Sequence, residues 1–462
     1  MPRVPLPMPS RAGEMKSKFV SAQTLINCFV EMHPQTGPAI YGWPGLTLFA
    51  TCGDGPIRGM IDFSGALVVV SGSTLYSVSR TGAVSPVGTI SGTTAVIMAH
   101  NGFQVVIVAE DVDTSYVYDG VTVAEITDAD FLGGSSVDFI DQYFVFTRKD
   151  SQQFFVSALA DGASYDATDV ASAEAKPDNL LRVIVDNREV MLFGTKSVEG
   201  WYNAGDADFP LARSTTFVEY GLAGRNAVAK ADNTVFWLAP DNTVRALRGG
   251  TPQIISDHAV SNLIEAWSDP SATSAFVVSF RGHTFFVLRN PDGCVAIDAA
   301  TGLPFELVSY EMDTWRVGCA EFVWNGTVLG DAENGAIYRL DPDAFDENGE
   351  PHVREWVSST MNPSGSPFTL DEVEIDIEVG VGLVSGQGSN PVVWMKASRD
   401  SGESWGARME REIGARGDRE LRVVWEDFGQ FPTHGGAISM GISDPVRFVV
   451  TRGWATFTED RP

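Results

Sequence analysis

The residues best spaced to do local chemistry are Ser398, Asp400, Gly402, Ser404 and Trp405, in the run Ser-Arg-Asp-Ser-Gly-Glu-Ser-Trp. This spacing builds a hairpin turn: the Asp400 carboxylate accepts backbone N–H groups, Gly402 takes a positive φ, and Trp405 packs beneath. A structural hairpin is the expectation. The 60 acidic residues offer many carboxylate pairs for glycoside hydrolysis, but no spacing singles out two of them. Histidines at 33, 100, 258, 283, 352 and 434 show no HExxH or HxxxH spacing. Cys28, Cys52, Cys294 and Cys319 form no CxxC pair and fit neither a zinc site nor a disulfide framework. They read as buried thiols in a reducing cytoplasm. No G-x-S-x-G elbow, Walker loop or dinucleotide glycine loop occurs. The acidic turn at 110–113 lacks EF-hand spacing and reads as solvated. No catalytic residue, metal or cofactor is expected.

The same hairpin pattern, the Asp-box, occurs in sialidases, where it is repeated, structural and remote from catalysis. This chain has one copy and lacks the early Arg-Ile-Pro run of those enzymes. A glycan-binding propeller or glycoside hydrolase, with the 11 tryptophans stacking on sugars, is the alternative reading. A propeller scaffold of cellular origin is a third.

Composition and charge narrow the classes further. With 462 residues, 44% hydrophobic and 20% charged, the chain reads as folded, in two or three domains. No apolar run approaches the roughly 20 residues that cross a bilayer, and the proline-rich opening lacks a secretory core. A chain made and used as a soluble protein, without membrane insertion, is expected. The formal charge is −28, divided as +1 over residues 1–56, −23 over 57–352 and −6 over 353–462. Phosphate binding needs clustered Lys and Arg, so such a body repels nucleic acid. Residues 101–180 alone hold 15 acids and 3 bases. The arginine tract at 408–422 interleaves five arginines with four acids, the pattern of an ion-paired surface.

The elements that must carry these residues are strands. Short runs of Val, Ile, Phe, Tyr and Trp are cut by Gly, Asn and Asp turns, and the clearest helix pattern is brief, at 260–267. A four-strand cycle recurs, beginning near Met60, Ile97, Val137, Arg182, Asn226, Ser274 and Arg316. Seven cycles of about 40–45 residues predict a β-propeller of six to eight blades. In each cycle the apolar second strand belongs between neighbouring blades. After an acidic, turn-rich stretch at 341–351, residues 369–382 alternate Val373, Ile375, Ile377 and Val379 with Glu372, Glu374, Asp376 and Glu378. That predicts a strand with one buried and one acidic wet face. Further strands are expected at 392–397, 421–425 and 447–457. The predicted fold is all-β: an extended N-terminal arm (1–56), a propeller (57–350) and a C-terminal β-sandwich-like domain (351–462).

Two ends of the chain resemble one family. The segment Gln23-Thr-Leu-Ile-Asn27-Cys28-Phe-Val-Glu31, then Gly37-Pro-Ala-Ile-Tyr41-Gly-Trp-Pro44-Gly45-Leu46, is similar to the opening of tail-hub, or packaged-DNA stabilisation, proteins of short-tailed bacteriophages. The Asp-box hairpin, the arginine stretch and the strand running to Phe428-Gly429 resemble their tail. The resemblance implies a structural, non-enzymatic virion protein. It implies a ring of identical subunits, commonly six, below the portal and adaptor. Such a ring extends and closes the DNA channel, passes DNA without gripping it, and anchors a tail needle or fibres. It would be assembled in the host cytoplasm and end in the virion tail. Asn27, Cys28, Glu31, Tyr41, Pro44, Gly45 and Leu46 become candidate assembly contacts.

Overall fold

Among the described residues the recurring apolar strands form seven four-stranded antiparallel blades. A computed structural model describes residues 3–33, 37–206, 208–231, 233–362 and 365–459. Blade 1 spans residues 57–89, blade 2 96–125, blade 3 134–172, blade 4 180–218, blade 5 228–254 and blade 6 274–306. Blade 7 takes three strands from residues 317–341 and its fourth, Gly45–Thr51, from the other end of the chain. The second strands Ala66–Ser71, Val105–Ala109, Thr234–Leu238 and Gly326–Asp331 are buried almost end to end. Both of their faces pack on a neighbouring blade, so they read as continuous apolar runs rather than as alternation. Outer strands such as Val84–Thr89 are largely open to solvent.

A separate apolar cluster fills each junction between neighbouring blades, including the junction that closes the ring. There Ala50, Cys52, Val328 and Ile337 of blade 7 meet Leu67 and Val69 of blade 1. Full burial of a Val, Leu or Ile side chain contributes about 1.5–3 kcal/mol. The four branched side chains named here, Val328, Ile337, Leu67 and Val69, therefore favour closure by about 6–12 kcal/mol, an upper bound because the unfolded chain already hides some area.

The second domain is a sandwich of two sheets. One holds, in spatial order, Cys28–His33, Gly37–Gly42, Val449–Glu459, Phe368–Ile377 and Val423–Phe431, with Arg3–Pro5 added on Val449–Glu459. The other holds Thr24–Ile26, Arg354–Val357, Ala437–Ile442, Val392–Ser398 and Met409–Glu412. Thr24–Ile26 also pairs, in parallel, with Pro304–Glu306 of blade 6. The second sheet and blade 6 are thus one continuous nine-stranded sheet.

The first 56 residues, read from sequence as an arm, lay strands into both domains. Cys28–His33 and Gly37–Gly42 pair with each other, while Arg3–Pro5, Thr24–Ile26 and Gly45–Thr51 are short and pair with segments some 300 or more residues away, so little local alternation marks them. The predicted helix is present at His258–Glu265, with the Asp257 side chain capping the Val260 N–H at 3.0 Å. In Phe368–Ile377, Val373, Ile375 and Ile377 are buried as expected. The outward face is not uniformly wet. Glu374 is buried beneath Arg3 and Arg422, each 2.7 Å from its carboxylate. The strand also ends at Ile377, before Val379.

Candidate functional site

Asn27 is the hinge-pin of the seam between the domains. Its backbone is left-handed (φ 51°), a conformation Asn tolerates better than most residues. Its Nδ2 donates to the carbonyls of Val308 and Val353, both at 2.8 Å, and its Oδ1 accepts the Val308 N–H at 2.9 Å. The segment that leaves blade 6 and the residue that precedes Arg354–Val357 are thereby tied by one side chain. Cys28 beside it is fully buried, and burial pushes its thiol well above the ordinary range. Pro44, Gly45 and Leu46 are buried as well. The Gly45 N–H donates to Ala344 O at 2.8 Å and the Leu46 N–H to Asp346 O at 2.9 Å. A Cβ on Gly45 would lie 2.2 Å from Asp346 O; only glycine permits this approach. Tyr41 and Glu31 remain partly exposed, Tyr41 stacked on Phe29 at 5.7 Å and Glu31 3.4 Å from His283. Five of the seven residues of this motif are therefore buried within one chain, joining its domains and closing its ring.

Three seam residues carried no sequence signal. Arg354, wholly buried, donates to the carbonyls of His352, Phe345, Asp444 and Val446. Desolvation lowers its guanidinium to about 10. Glu347 accepts from Trp315 Nε1 at 3.0 Å and lies 3.6 Å from His352. Burial raises its carboxyl to about 7 and lowers His352 to about 3, so His352 is uncharged and Glu347 is protonated below neutral pH. Single polar residues between apolar strands look like any surface residue in sequence.

The Asp-box hairpin joins Val392–Ser398 to Met409–Glu412. Asp400 accepts the Ser404 N–H at 2.8 Å, the Ser398 hydroxyl at 2.7 Å and the Ser404 hydroxyl at 2.5 Å. These bonds hold its carboxyl at about 2. Gly402 has φ 95° and donates to Ser398 Oγ at 2.7 Å. Trp405 packs on Ala22, Val357 and Ala437. The Asp400 carboxylate and the Ser398 and Ser404 hydroxyls are all occupied in holding the turn. Of the tryptophans available to stack on sugars, Trp43, Trp237, Trp315, Trp356 and Trp425 are fully buried. In the arginine tract Arg408 pairs with Glu410, Arg422 with Glu374, and Arg411 donates to Val424 O.

Along the propeller axis a cavity of about 260 Å³ is lined by the inner strands, with Arg58, Arg182 and Glu321 as its charged side chains. Burial raises Glu321 to about 7. Arg58 donates to the carbonyls of Thr94, Gly72 and Ser91. Cys319, in the same wall, is raised to about 12 by burial. Cys28, Cys52, Cys294 and Cys319 are all unbridged. Among the described residues no group of three or more His, Cys, Asp or Glu is placed to hold a metal ion, and no helix is long and apolar enough to cross a membrane.

This two-domain arrangement coincides with two family models. One, described as "Bacteriophage P22 Gp10, beta-propeller", matches residues 9–345, and the other, "Bacteriophage P22 Gp10, beta-sandwich", matches 354–456. The chain belongs to the bacteriophage P22 Gp10 family. The Gp10 propeller match begins far enough upstream to include Gly45–Thr51, the strand that completes blade 7. No curated protein matches the chain. Solved structures similar to it include a streptogramin B lyase (12% identity, TM-score 0.45, 64% of this chain and 97% of that one). The extracellular domain of a putative hybrid two component system from B. thetaiotaomicron is another (10% identity, TM-score 0.46, 87% and 59%). A computationally designed protein, Ika8, is a third (14% identity, TM-score 0.42, 64% and 99%). Membership of the Gp10 family, a family of phage virion proteins, stands on the two family models alone.

Proposed function

We propose that this chain is the ring-forming nozzle or hub of a short-tailed phage tail, below the portal and its adaptor. In this reading it extends and closes the DNA channel and anchors a needle or fibres. The observation that carries the reading is the match of both Gp10 domains, in order, over nearly the whole chain. The architecture supports it. A propeller closed by its own N-terminal strand and fused by a shared sheet to a sandwich is a stiff body suited to a tube wall. Copies of it packed head to tail form a closed ring when their rotation closes, six being the number the resemblance implies. A net charge of −28 suits a conduit, since a basic wall would trap phosphate. The chain acts by assembly, without catalysis or cofactor. It meets passing DNA without holding it and does not enter a membrane. Assembly takes place in the host cytoplasm, and the product is part of the virion tail.

Electron imaging of the purified protein, alone and mixed with phage portal–adaptor complexes, tests the reading. Rings or tubes with a central hole, seated on the portal, are expected, with no shift of duplex DNA at moderate salt. A persistent monomer that ignores the portal, or tight DNA binding, would overturn it.

A further inference from the structure

The axial cavity has a chemistry that neither ring assembly nor DNA passage uses. At one end of the inner strands, three consecutive blades present side-chain donors with no acceptor. Arg182 comes from blade 4, Asn226 lies two residues before the first strand of blade 5, and Ser274 opens blade 6; all three line the cavity. None of the three side chains makes a hydrogen bond or ion pair among the described residues, and the Arg182 Nε is shut off from solvent. Arg58 lines the same cavity from blade 1, across the ring. Arg225 lies close by; its Nε also lacks a partner, while its other nitrogens reach Ser135 O at 3.0 Å and Glu110 at 3.3 Å. The inner strands of blades 1, 3, 4 and 7 each carry a register shift at their first residues, a device that re-aims side chains.

The carboxylates nearby do not satisfy this end. Asp138 neighbours Arg182 but forms no ion pair with it, its oxygens taking the N–H groups of Val185 and Phe139 at 2.7 Å. Asp111 faces Arg58 and is held by Thr93 and Thr94. Glu321 lines the cavity from blade 7 as the fifth residue of its strand, two positions further along than Arg182, the third residue of its own. A guanidinium, an amide and a hydroxyl, all partly buried and lining one space open to solvent, suit a multivalent acceptor. At about 260 Å³ the space exceeds the roughly 10–15 Å³ that one water requires.

We propose that this cavity binds one small inorganic oxyanion of the phosphate or sulfate type, held by Arg182, Asn226 and Ser274 with Arg58 opposite. The cavity is far too small for a nucleic-acid strand, so the ligand is the free ion.

Calorimetric titration of the intact protein with inorganic phosphate at constant ionic strength tests this, with a short single-stranded oligonucleotide as the parallel arm. Saturable binding of one phosphate, competed by sulfate and not matched by the oligonucleotide, is expected. Arg182→Gln and Asn226→Asp should each weaken it at least about tenfold, through a lost charged donor and an added repulsive carboxylate. Ser274→Ala should weaken it several-fold and carries the test if either other variant fails to fold. Folded wild-type protein that takes up no phosphate, so that the cavity holds only water, overturns the proposal. So does oligonucleotide binding without phosphate binding, or phosphate affinity unchanged in the folded variants.

Discussion

Replacing Asn27 tests whether one side chain couples the two domains. Asn27→Gly removes three hydrogen bonds, two to the carbonyls of Val308 and Val353 and one from the Val308 N–H, while still accepting φ 51°. At about 1 kcal/mol for each bond lost, the expected cost is about 3 kcal/mol. Asn27→Ala loses the same bonds and also forces a Cβ into the left-handed region, adding about 1 kcal/mol. Alanine should therefore be worse than glycine, the reverse of their order at an ordinary position. Asn27→Asp turns a carboxylate toward two carbonyls and should be worst of the three. The assay is urea unfolding followed by tryptophan fluorescence, with limited proteolysis of the 342–353 connection as a second probe. Glycine and alanine variants both within about 0.5 kcal/mol of wild type would refute the claim that Asn27 ties the seam.

Other substitutions probe the remaining devices. Gly45→Ala places a Cβ 2.2 Å from Asp346 O and should cost about 2–4 kcal/mol, read as a lowered thermal midpoint; an unchanged midpoint would show that the 344–348 turn yields freely. Asp400→Ala should cost about 1 kcal/mol and leave portal binding intact, and a loss of that binding without a loss of stability would give the hairpin a contact role. Deleting residues 1–51 removes the fourth strand of blade 7 and should leave a chain without a cooperative unfolding transition; a cooperative transition near the wild-type midpoint would sink the closure argument. Glu347 and His352 give a pH signature. The folded chain keeps the Glu347 proton that the unfolded chain releases above 4.5, so this contribution to stability is lost as pH rises from 4.5 towards 7. The unfolded chain takes up a proton on His352 below 6.5, so that contribution is lost as pH falls from 6.5 towards 3. The two slopes oppose each other between 4.5 and 6.5. Glu347→Gln removes the first, and stability should then rise more steeply with pH across that window; a profile parallel to wild type would contradict the pairing.

The blade cycle was legible because a propeller's second strands are buried on both faces. Ala66–Ser71 and Thr234–Leu238 had to be apolar throughout, whatever the loops did. The Asp-box was legible because Ser398, Asp400, Gly402 and Ser404 satisfy one another within seven residues. What stayed hidden was non-local. Gly45–Thr51 alternates weakly, and its partner Ala336–Asp341 lies at the other end of the propeller, so nothing nearby identifies it as a blade strand. The seam was half legible. The motif around Asn27 and Pro44-Gly45-Leu46 was noticed, but its residues point into the chain, where burial and left-handed geometry constrain them. The arginines of the axis were missed because a lone Arg58 or Arg182 beside Val and Ile resembles an outward-facing strand residue. Only closure of the ring brings them to one space.

The order in which strands pair also constrains how the molecule comes to exist. Gly45–Thr51 waits for Ala336–Asp341, and Thr24–Ile26 waits for both Pro304–Glu306 and Arg354–Val357. Neither the propeller nor the sandwich can be completed until most of the chain has been made. Such distant pairings slow folding, because loop closure must precede the contacts that reward it. They also bind the finished parts together. An opening force on the sandwich must break a sheet that runs unbroken into blade 6, and an opening force on blade 7 must strip a strand whose upstream neighbours, Cys28–His33 and Gly37–Gly42, lie in the sandwich. The two domains should therefore unfold as one unit. Calorimetry should give a single transition, and two resolved transitions would show that the shared sheet does not couple them.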